Sequence, residues 1–275
     1  MNSSGNPTIG VFDSGFGGLT VLRALLARLP QARFAFLGDT ARLPYGSKSR
    51  RTIARYAAQS AQFLVREQGA EFLVIACNTA SALALDAIQD AVPVPVLGVI
   101  EPGATAARAA SRTGDVLVIA TDATVHSHAY AAACRAHGLR AIEKACPLLV
   151  PLVEEGWTNH PVTAEVIDIY LNELRAEAAA EGLKPDTLVL GCTHYPLLRP
   201  LFERAVRPGV RVIDSAESTA ETALRQFGSH FANKPVLAEP EIRCFASDSV
   251  EKFERLGSRF LGRPTGNVEL VDLGG

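Results

Sequence analysis

The chain has 275 residues, 48% of them hydrophobic and 20% charged, with a formal net charge of −2. That composition excludes a disordered chain, and the near-neutral balance provides no basic field for nucleic acid or an anionic membrane. Five cysteines, at 77, 134, 146, 192 and 244, are an odd count with no repeated spacing. They read as reduced thiols of a cytoplasmic protein rather than a disulfide framework.

In chain order, the polar start MNSSGNPTIG lacks the apolar stretch of a secretory signal. No later apolar run approaches the ~20 residues that would span a bilayer. A strand over 8–12, a glycine-rich turn and a helix over 18–29 follow, reading IGVFDSGFGGLTVL from residue 9. This order invites a dinucleotide reading, and Asp39 lies about 20 residues on, where a ribose-binding acid belongs. The pattern fails in detail. Gly15, Gly17 and Gly18 give G-x-G-G, Thr20 stands where the third spaced glycine belongs, and Asp13 would face a pyrophosphate with the wrong charge. A packing turn explains the glycines but not Asp13 and Ser14. Ligands of open α/β sheets bind at the carboxyl ends of strands, so these two residues read as side chains facing a small polar ligand.

The next strand, 33–38, runs into LGDTARLPYGSKS, where Pro44, Tyr45 and Gly46 make a tight turn. A helix over 49–69 then starts with Ser47 or Ser49 as its N-cap. The basic cluster SKSRR at 47–51 reads as a solvated face. FLVIA at 72–76 is a strand that stops at Cys77, and AVPVPVLGVIEPG at 91–103, with three prolines and a strand over 95–100, marks a boundary between two halves. Strand DVLVIA (115–120) and a helix over 161–182 follow. That helix carries Val166, Ile169, Tyr170 and Leu174 at helix-face spacing and Gly182 as its C′ residue. TLVLG (187–191) stops at Cys192, and VRVID (210–214) and IRCFA (242–246) complete the strands. The strands are continuous apolar runs alternating with helices. Parallel sheets covered by helices on both faces are therefore expected, an α/β fold.

Cys77 and Cys192 each end a strand and precede a polar, helix-starting segment, a partial internal duplication. Cys134, Cys146 and Cys244 lie among apolar or helical residues and read as small core side chains. A helix N-terminus favours thiolate, so the first two thiols should ionise more easily than a solvent cysteine. Zinc would need about four ligands in a recognisable spacing, which Cys192, His194 and a distant Cys77 do not make. A redox pair would show Cys-x-x-Cys, which is absent, and would need Cα atoms within ~7 Å. A nucleophile calls for one cysteine with a histidine and a carboxylate. Two equivalent thiols suit a symmetric task, such as removing a proton from one face of a carbon and delivering one to the other. A binding or regulatory protein on the same scaffold is the alternative of a different class.

The segments DSGFGGLTVLRAL, GDTARLPYGSKS, ACNTASA, ATDATVHSHAY, PLLVPLVEEG, GCTHYPLL and DSAESTA, in this order, resemble the glutamate racemase family. The resemblance runs from about residue 8 to about 220 and is loose over the last fifty or so residues. It implies a cofactor-independent racemase that interconverts L- and D-glutamate and supplies D-glutamate for peptidoglycan. Two pseudo-symmetric domains would enclose the site, the first from residues 1–98 with a return from about 210, the second from 99–209. It also implies that Cys77 and Cys192 are the two acid/base residues, with Asn78, Thr79, Thr193 and His194 holding the α-carboxylate. Asp13, near the ammonium, and Ser14 would assist Cys77, while His194 and the acid Glu154 would assist Cys192. Tyr45 and Gly46 would close the pocket, and Thr121 and Thr124 are further contacts. Lys48, Lys144, Lys184, Lys234 and Lys252 read as surface residues, none placed for pyridoxal phosphate, and no role is assigned to His126 or His128. A homodimer with a small-molecule substrate, and with neither nucleic acid, membrane nor metal, is expected. Same-fold alternatives are an aspartate or hydantoin racemase; aspartate differs by one methylene, worth only ~1–3 kcal/mol of discrimination. An arylmalonate-type decarboxylase would keep only one of the two cysteines.

Overall fold

The computed structural model describes residues 5–239 and 241–274. Two parallel sheets carry the chain. The first half runs β1 (Thr8–Asp13), α1 (Leu19–Arg28), β2 (Arg33–Gly38), α2 (Arg50–Arg66), β3 (Phe72–Ile75), α3 (Asn78–Leu83), α4 (Leu85–Ala91) and β4 (Val96–Gly98). The second runs α5 (Ile100–Ala110), β5 (Asp115–Ala120), α6 (Asp122–His126), α7 (Ala129–Ala136), β6 (Arg140–Ala145), α8 (Leu149–Glu154), α9 (Pro161–Ala180), β7 (Thr187–Gly191), α10 (Arg199–Ala205) and β8 (Arg211–Asp214). The chain then returns through α11 (Ser215–Phe231) to β9 (Ile242–Ala246), α12 (Val250–Leu261) and β10 (Val268–Leu270).

The strand orders are β10-β9-β2-β1-β3-β4 and β6-β5-β7-β8. The run 2-1-3-4 of the first sheet is thus repeated as 6-5-7-8 in the second. In this correspondence β3 matches β7, and Cys77 and Cys192 follow those two strands. The duplication glimpsed around the two cysteines is a duplication of topology. β9 and β10 extend only the first sheet, beyond β2.

Both faces of each sheet are covered, which explains the continuous apolar strands. Ile9, Val11 and Val74 point into a core that also takes Leu19, Leu22 and Phe227 from α1 and α11. The alternate residues Phe12, Leu73 and Ile75 point into a second core with Ile53 and Leu64 of α2. The first core continues without a break into Leu188, Leu190, Ile167 and Leu171 of the second half. One apolar body thus joins the two sheets. Each fully buried Leu, Ile or Phe contributes roughly 1.5–3 kcal/mol from area alone, before the entropy of ordering is subtracted.

Several expectations shift. The strand expected over 95–100 is only Val96–Gly98, and Ile100 already lies in α5. In α9 the buried face is Thr163, Ile167, Leu171, Leu174 and Ala178, while Ile169 is 55% exposed. Leu174 lies on that face as expected and Val166 and Tyr170 are half-buried against the core, so Ile169 alone of the expected stripe faces outward. Gly182 does take the left-handed conformation, φ +68°, that ends the helix. Ser49 is the N-cap of α2, accepting from Thr52 N at 3.3 Å. β6 and β10 went unforeseen. β6 reads RAIEKA, with exposed or half-buried residues throughout, and an edge strand of that kind carries no apolar run.

Candidate active site

Strand ends set the site. Asp13 closes β1, and Cys77, after β3, is the N-cap of α3, its Sγ accepting from Ala80 N at 3.4 Å. The Cys77 thiol donates to Ser14 Oγ at 3.4 Å. Asp13 is 2% exposed, and its Oδ2 accepts from Gly15 N at 3.0 Å, which leaves Oδ1 buried and unpartnered. Burial raises the Asp13 carboxyl above its ordinary value, against the pull of His194 and three backbone amides. Burial, then the neighbouring Asp13 charge, push the Cys77 thiol up to about 12. The expectation of an easily ionised Cys77 is therefore wrong for this state. Two backbone amides, of Ala80 and Ser14, and the Ser14 hydroxyl do not offset full desolvation beside a carboxylate.

Asn78 and Thr79 are buried next to Cys77. Asn78 Oδ1 accepts from Tyr130 OH at 2.8 Å, while its Nδ2 is buried without a partner. Thr79 Oγ1 lies 3.1 Å from Thr121 Oγ1 and 3.3 Å from Thr124 Oγ1, which are 2.9 Å apart. Three hydroxyls thus meet where α3 touches α6. Tyr45 is buried by the loop after β2 and donates to Asp39 Oδ2 at 2.6 Å. Asp39, 0% exposed, also accepts from Ser247 Oγ at 2.8 Å, so the C-terminal return braces this loop. Burial and the Asp39 charge hold the Tyr45 phenol protonated. Gly46 is half-buried, with open space around it.

On the other side Cys192 and Thr193, each 5% exposed, follow β7. A short 3₁₀ turn, Tyr195–Leu198, comes next, so Cys192 caps no α-helix, contrary to expectation. Tyr195 is fully buried and donates to the carbonyls of Ala120 and Cys146 at 3.2 and 3.1 Å, which pins the loop to β5 and β6. His194 Nδ1 stands 4.0 Å from Cys192 Sγ, and its Nε2 lies 3.4 Å from Glu154 Oε1, an ion-pair contact without hydrogen-bond alignment. Burial works against the imidazolium, yet contacts with Cys192 and Glu154 and the charge of Asp13 hold it up to about 10. Glu154 is held below its ordinary value: His194 and Lys252 outweigh its burial.

The two sides interlock. Thr20 Oγ1 of α1 donates to the Thr193 carbonyl at 3.0 Å. A Cβ at Gly17 would stand 2.4 Å from Thr193 Oγ1 and 2.6 Å from the His194 ring, so only glycine fits there. Phe16 and Phe260 pack against His194 with ring centroids 6.1 and 5.0 Å away. Sequence reasoning missed the roles of Tyr130, Asp39, Gly17 and Lys252; of these only Gly17, in the G-x-G-G run, and Asp39, considered as a ribose-binding acid, carried a visible signal. Lys144, read as a surface lysine, is only 18% exposed and is paired with Glu173 and Glu177. His126 and His128 are exposed and pair with Asp122 and Glu143, away from the thiols.

Cys134, Cys146 and Cys244 are buried in the apolar clusters, as expected. Among the described residues no three His, Cys, Asp or Glu side chains gather to hold a metal ion, and no helix is long and apolar enough to cross a membrane. A surface pocket of about 280 Å³ beside Leu117, Arg175, Lys184 and Arg207 lies at the opposite end of the second sheet from Cys192 and is lined by no cysteine, serine, threonine or histidine.

Residues 17–223 match the family model described as Asp/Glu/hydantoin racemase. The chain is 53% identical to a glutamate racemase of Koribacter versatilis over 98% of both chains. Its fold superposes on a glutamate racemase isoform from Bacillus anthracis with a TM-score of 0.88, at 36% identity over 97% of this chain and 98% of that one. It superposes on the Francisella tularensis glutamate racemase, solved with D-glutamate, with a TM-score of 0.86, at 34% identity over 98% of both. The chain belongs to the Asp/Glu/hydantoin racemase family, on its glutamate racemase branch.

Proposed function

We propose that the chain interconverts L- and D-glutamate by moving the α-proton between two thiols, without a cofactor. The observation that carries this reading is the pairing of Cys77 and Cys192 at matching strand ends of two sheets with the same topology. In one direction a thiolate at one cysteine takes the α-proton, and the thiol at the other delivers a proton to the opposite face of the carbanion. The electron pair of the broken C–H bond becomes the new one, and the two sulfurs exchange protonation states. The reverse direction swaps the roles.

The α-proton is far less acidic than a thiol, so the site has to stabilise carbanionic charge and exclude water. Asn78 Nδ2, buried and unpartnered, serves as a donor to the α-carboxylate, joined by Thr79 and Thr193. Asp13 Oδ1, likewise unpartnered, accepts from the ammonium beside Ser14. Thr121 and Thr124 hold Thr79, and Tyr45 and Gly46 close the pocket. The imidazolium of His194, backed by Glu154, lies beside Cys192 and protonates or stabilises it as its charge changes.

Glutamate rather than aspartate is chosen because the relatives similar over almost the whole chain are glutamate racemases. The product D-glutamate fits a supply role for peptidoglycan in the cytoplasm. We place the two domains at 1–98 with a return from about 210 and at 99–209; the pairing of β8 with β7 argues for extending the second domain to Asp214 and starting the return after it. A homodimer is supported by exposed Leu148, Trp157, Val162 and Ile169 on and beside α8 and α9. Sedimentation analysis giving a monomer at all concentrations would remove the dimer.

The function is tested by incubating L-glutamate with the purified protein in D₂O under reducing conditions, with nothing added. Formation of D-glutamate with deuterium at Cα is expected. If neither appears, the reading fails. A Cys77→Ser or Cys192→Ser variant with undiminished racemisation would sink the two-thiol mechanism.

A further inference from the structure

We propose that Lys252 is a positioning residue for the Cys192 half of the site: from helix α12 its ammonium holds the Glu154 carboxylate against His194. This rests on the two-thiol reading above and extends it to a charged residue of the C-terminal return.

The geometry is a bridge. Lys252 Nζ lies 3.2 Å from Glu154 Oε2, while Glu154 Oε1 lies 3.4 Å from His194 Nε2. One cation on each oxygen fixes the plane of the carboxylate as well as its position. Glu154 needs that help, because it sits at the carboxyl end of α8, where helix carbonyls disfavour a negative charge. Its side chain is also 23% exposed, so water competes for it. His194, by contrast, is packed by the tilted Phe16 ring and the edge-on Phe260 ring and does not need a second anchor.

The bridge is not an isolated surface pair. Lys252 Nζ also stands 5.5 Å over the Phe16 ring, the same ring that packs on His194. Two turns along α12, the Arg259 guanidinium lies against Gly156, two residues after Glu154, and Phe260 meets the His194 ring edge-on. One face of a single helix therefore reaches the carboxylate, the turn that carries it and the imidazole it serves. Lys252 belongs to the first-sheet return and Glu154 to the second half, so the contact exists only while the two halves are docked. The consequence is a proton-transfer step at Cys192 that depends on α12 through Glu154 and leaves the Cys77 side untouched.

The test uses Lys252→Met, which keeps the stem on Phe16 without the charge, with Lys252→Arg, Glu154→Gln and the Lys252→Met/Glu154→Gln double variant. Turnover is followed in both directions, and primary isotope effects are taken with α-deuterated L- and D-glutamate. Lys252→Met should lower kcat about three- to tenfold with little change in KM, the range of a half-exposed pair that orients a working group. Lys252→Arg should restore most of it. The isotope effect should rise for the enantiomer deprotonated at Cys192 and fall for the other, which a general loosening of the fold does not produce. On Glu154→Gln the lysine change should add almost nothing, because its only route is through Glu154. Wild-type kcat and isotope effects in Lys252→Met overturn the proposal, as do multiplicative losses in the double variant or an unrestored Lys252→Arg. If the wild-type protein does not racemise glutamate, or Cys192→Ser does so unimpaired, the parent reading falls with it. An active wild type with an indifferent Lys252→Met sinks the lysine alone.

Discussion

Tyr130 of the second half donates its hydroxyl proton to Asn78 Oδ1 of the first at 2.8 Å, both side chains being buried. The bond fixes which way the Asn78 amide points and leaves Nδ2 as an unpartnered donor. Burial and nearby thiols and carboxylates keep the Tyr130 phenol protonated, so it remains a donor throughout the working pH range. In Tyr130→Phe, Oδ1 loses its donor and the amide can turn. We expect kcat/KM to fall about tenfold, the ~1–2 kcal/mol of an orphaned buried acceptor, with most of the change in KM. A variant with wild-type KM would mean that Asn78 is not oriented for substrate by this bond.

Gly17 brings the glycine turn against the Cys192 loop. A methyl group there would stand 2.4 Å from Thr193 Oγ1 and 2.6 Å from His194 Nδ1, in a loop whose Thr193 carbonyl is held by Thr20 and whose His194 ring is packed by Phe16 and Phe260. Neither can retreat without moving off Cys192. Gly17→Ala should cost about 10²-fold in kcat/KM, the effect of a displacement of about 1 Å at a reacting group, and about 1–3 kcal/mol of stability. Thermal melting together with steady-state rates checks both. Full activity would show that the loop gives way freely.

His194 and Glu154 make a pH prediction with a definite sign. The imidazolium persists to about 10 although burial opposes it, in part because the Glu154 charge faces it. Glu154→Gln removes that charge, so the imidazole should lose its proton at lower pH. The alkaline limb of kcat/KM should then move toward neutrality in the variant, while the acid limb stays in place. Profiles of wild type and variant between pH 6 and 11 test this. A limb that stays put would exclude Glu154 as a support of the imidazolium.

Much of this fold was legible because its strands are buried on both faces. FLVIA and TLVLG could be read as strands, and their parallel setting followed from the helices between them. The edge strand β6, half-polar along its length, left no such trace, and in α9 an extra apolar residue, Ile169, was counted to the buried stripe although it faces outward. The site was legible where a residue type was odd for its place, as with a cysteine or aspartate ending a strand. Tyr130 and Lys252 are ordinary members of their helices by sequence. Their partners lie 52 and 98 residues away, and only the docking of the two halves brings them together. The ionisation of Cys77 was misjudged for a related reason: the helix start was visible, but the burial beside Asp13 was not.

The buried thiols give the stability of this chain an alkaline edge. Burial pushes Cys134 up to about 11 and Cys77, Cys146 and Cys244 up to about 12, against an ordinary value of 9.0. Raised thiols favour the folded state's neutral form, so their contribution is complete below pH 9 and is lost as the pH climbs from 9 toward 12. In that window the unfolded chain has already released its thiol protons while the folded chain still holds them. Each such thiol steepens the loss by up to about 1.4 kcal/mol per pH unit. Cys244 offers a clean test, since it lies in the apolar core, with burial as the sole cause of its shift. Cys244→Ala should be less stable than wild type by a constant offset below pH 8, from the cavity it leaves. Above pH 9 the two stability curves should converge, because the variant lacks one of the titrating groups. Urea unfolding under reducing conditions at half-unit steps from pH 7 to 11 reads both effects. Curves that stay parallel to pH 11 would show that the Cys244 thiol does not couple to folding.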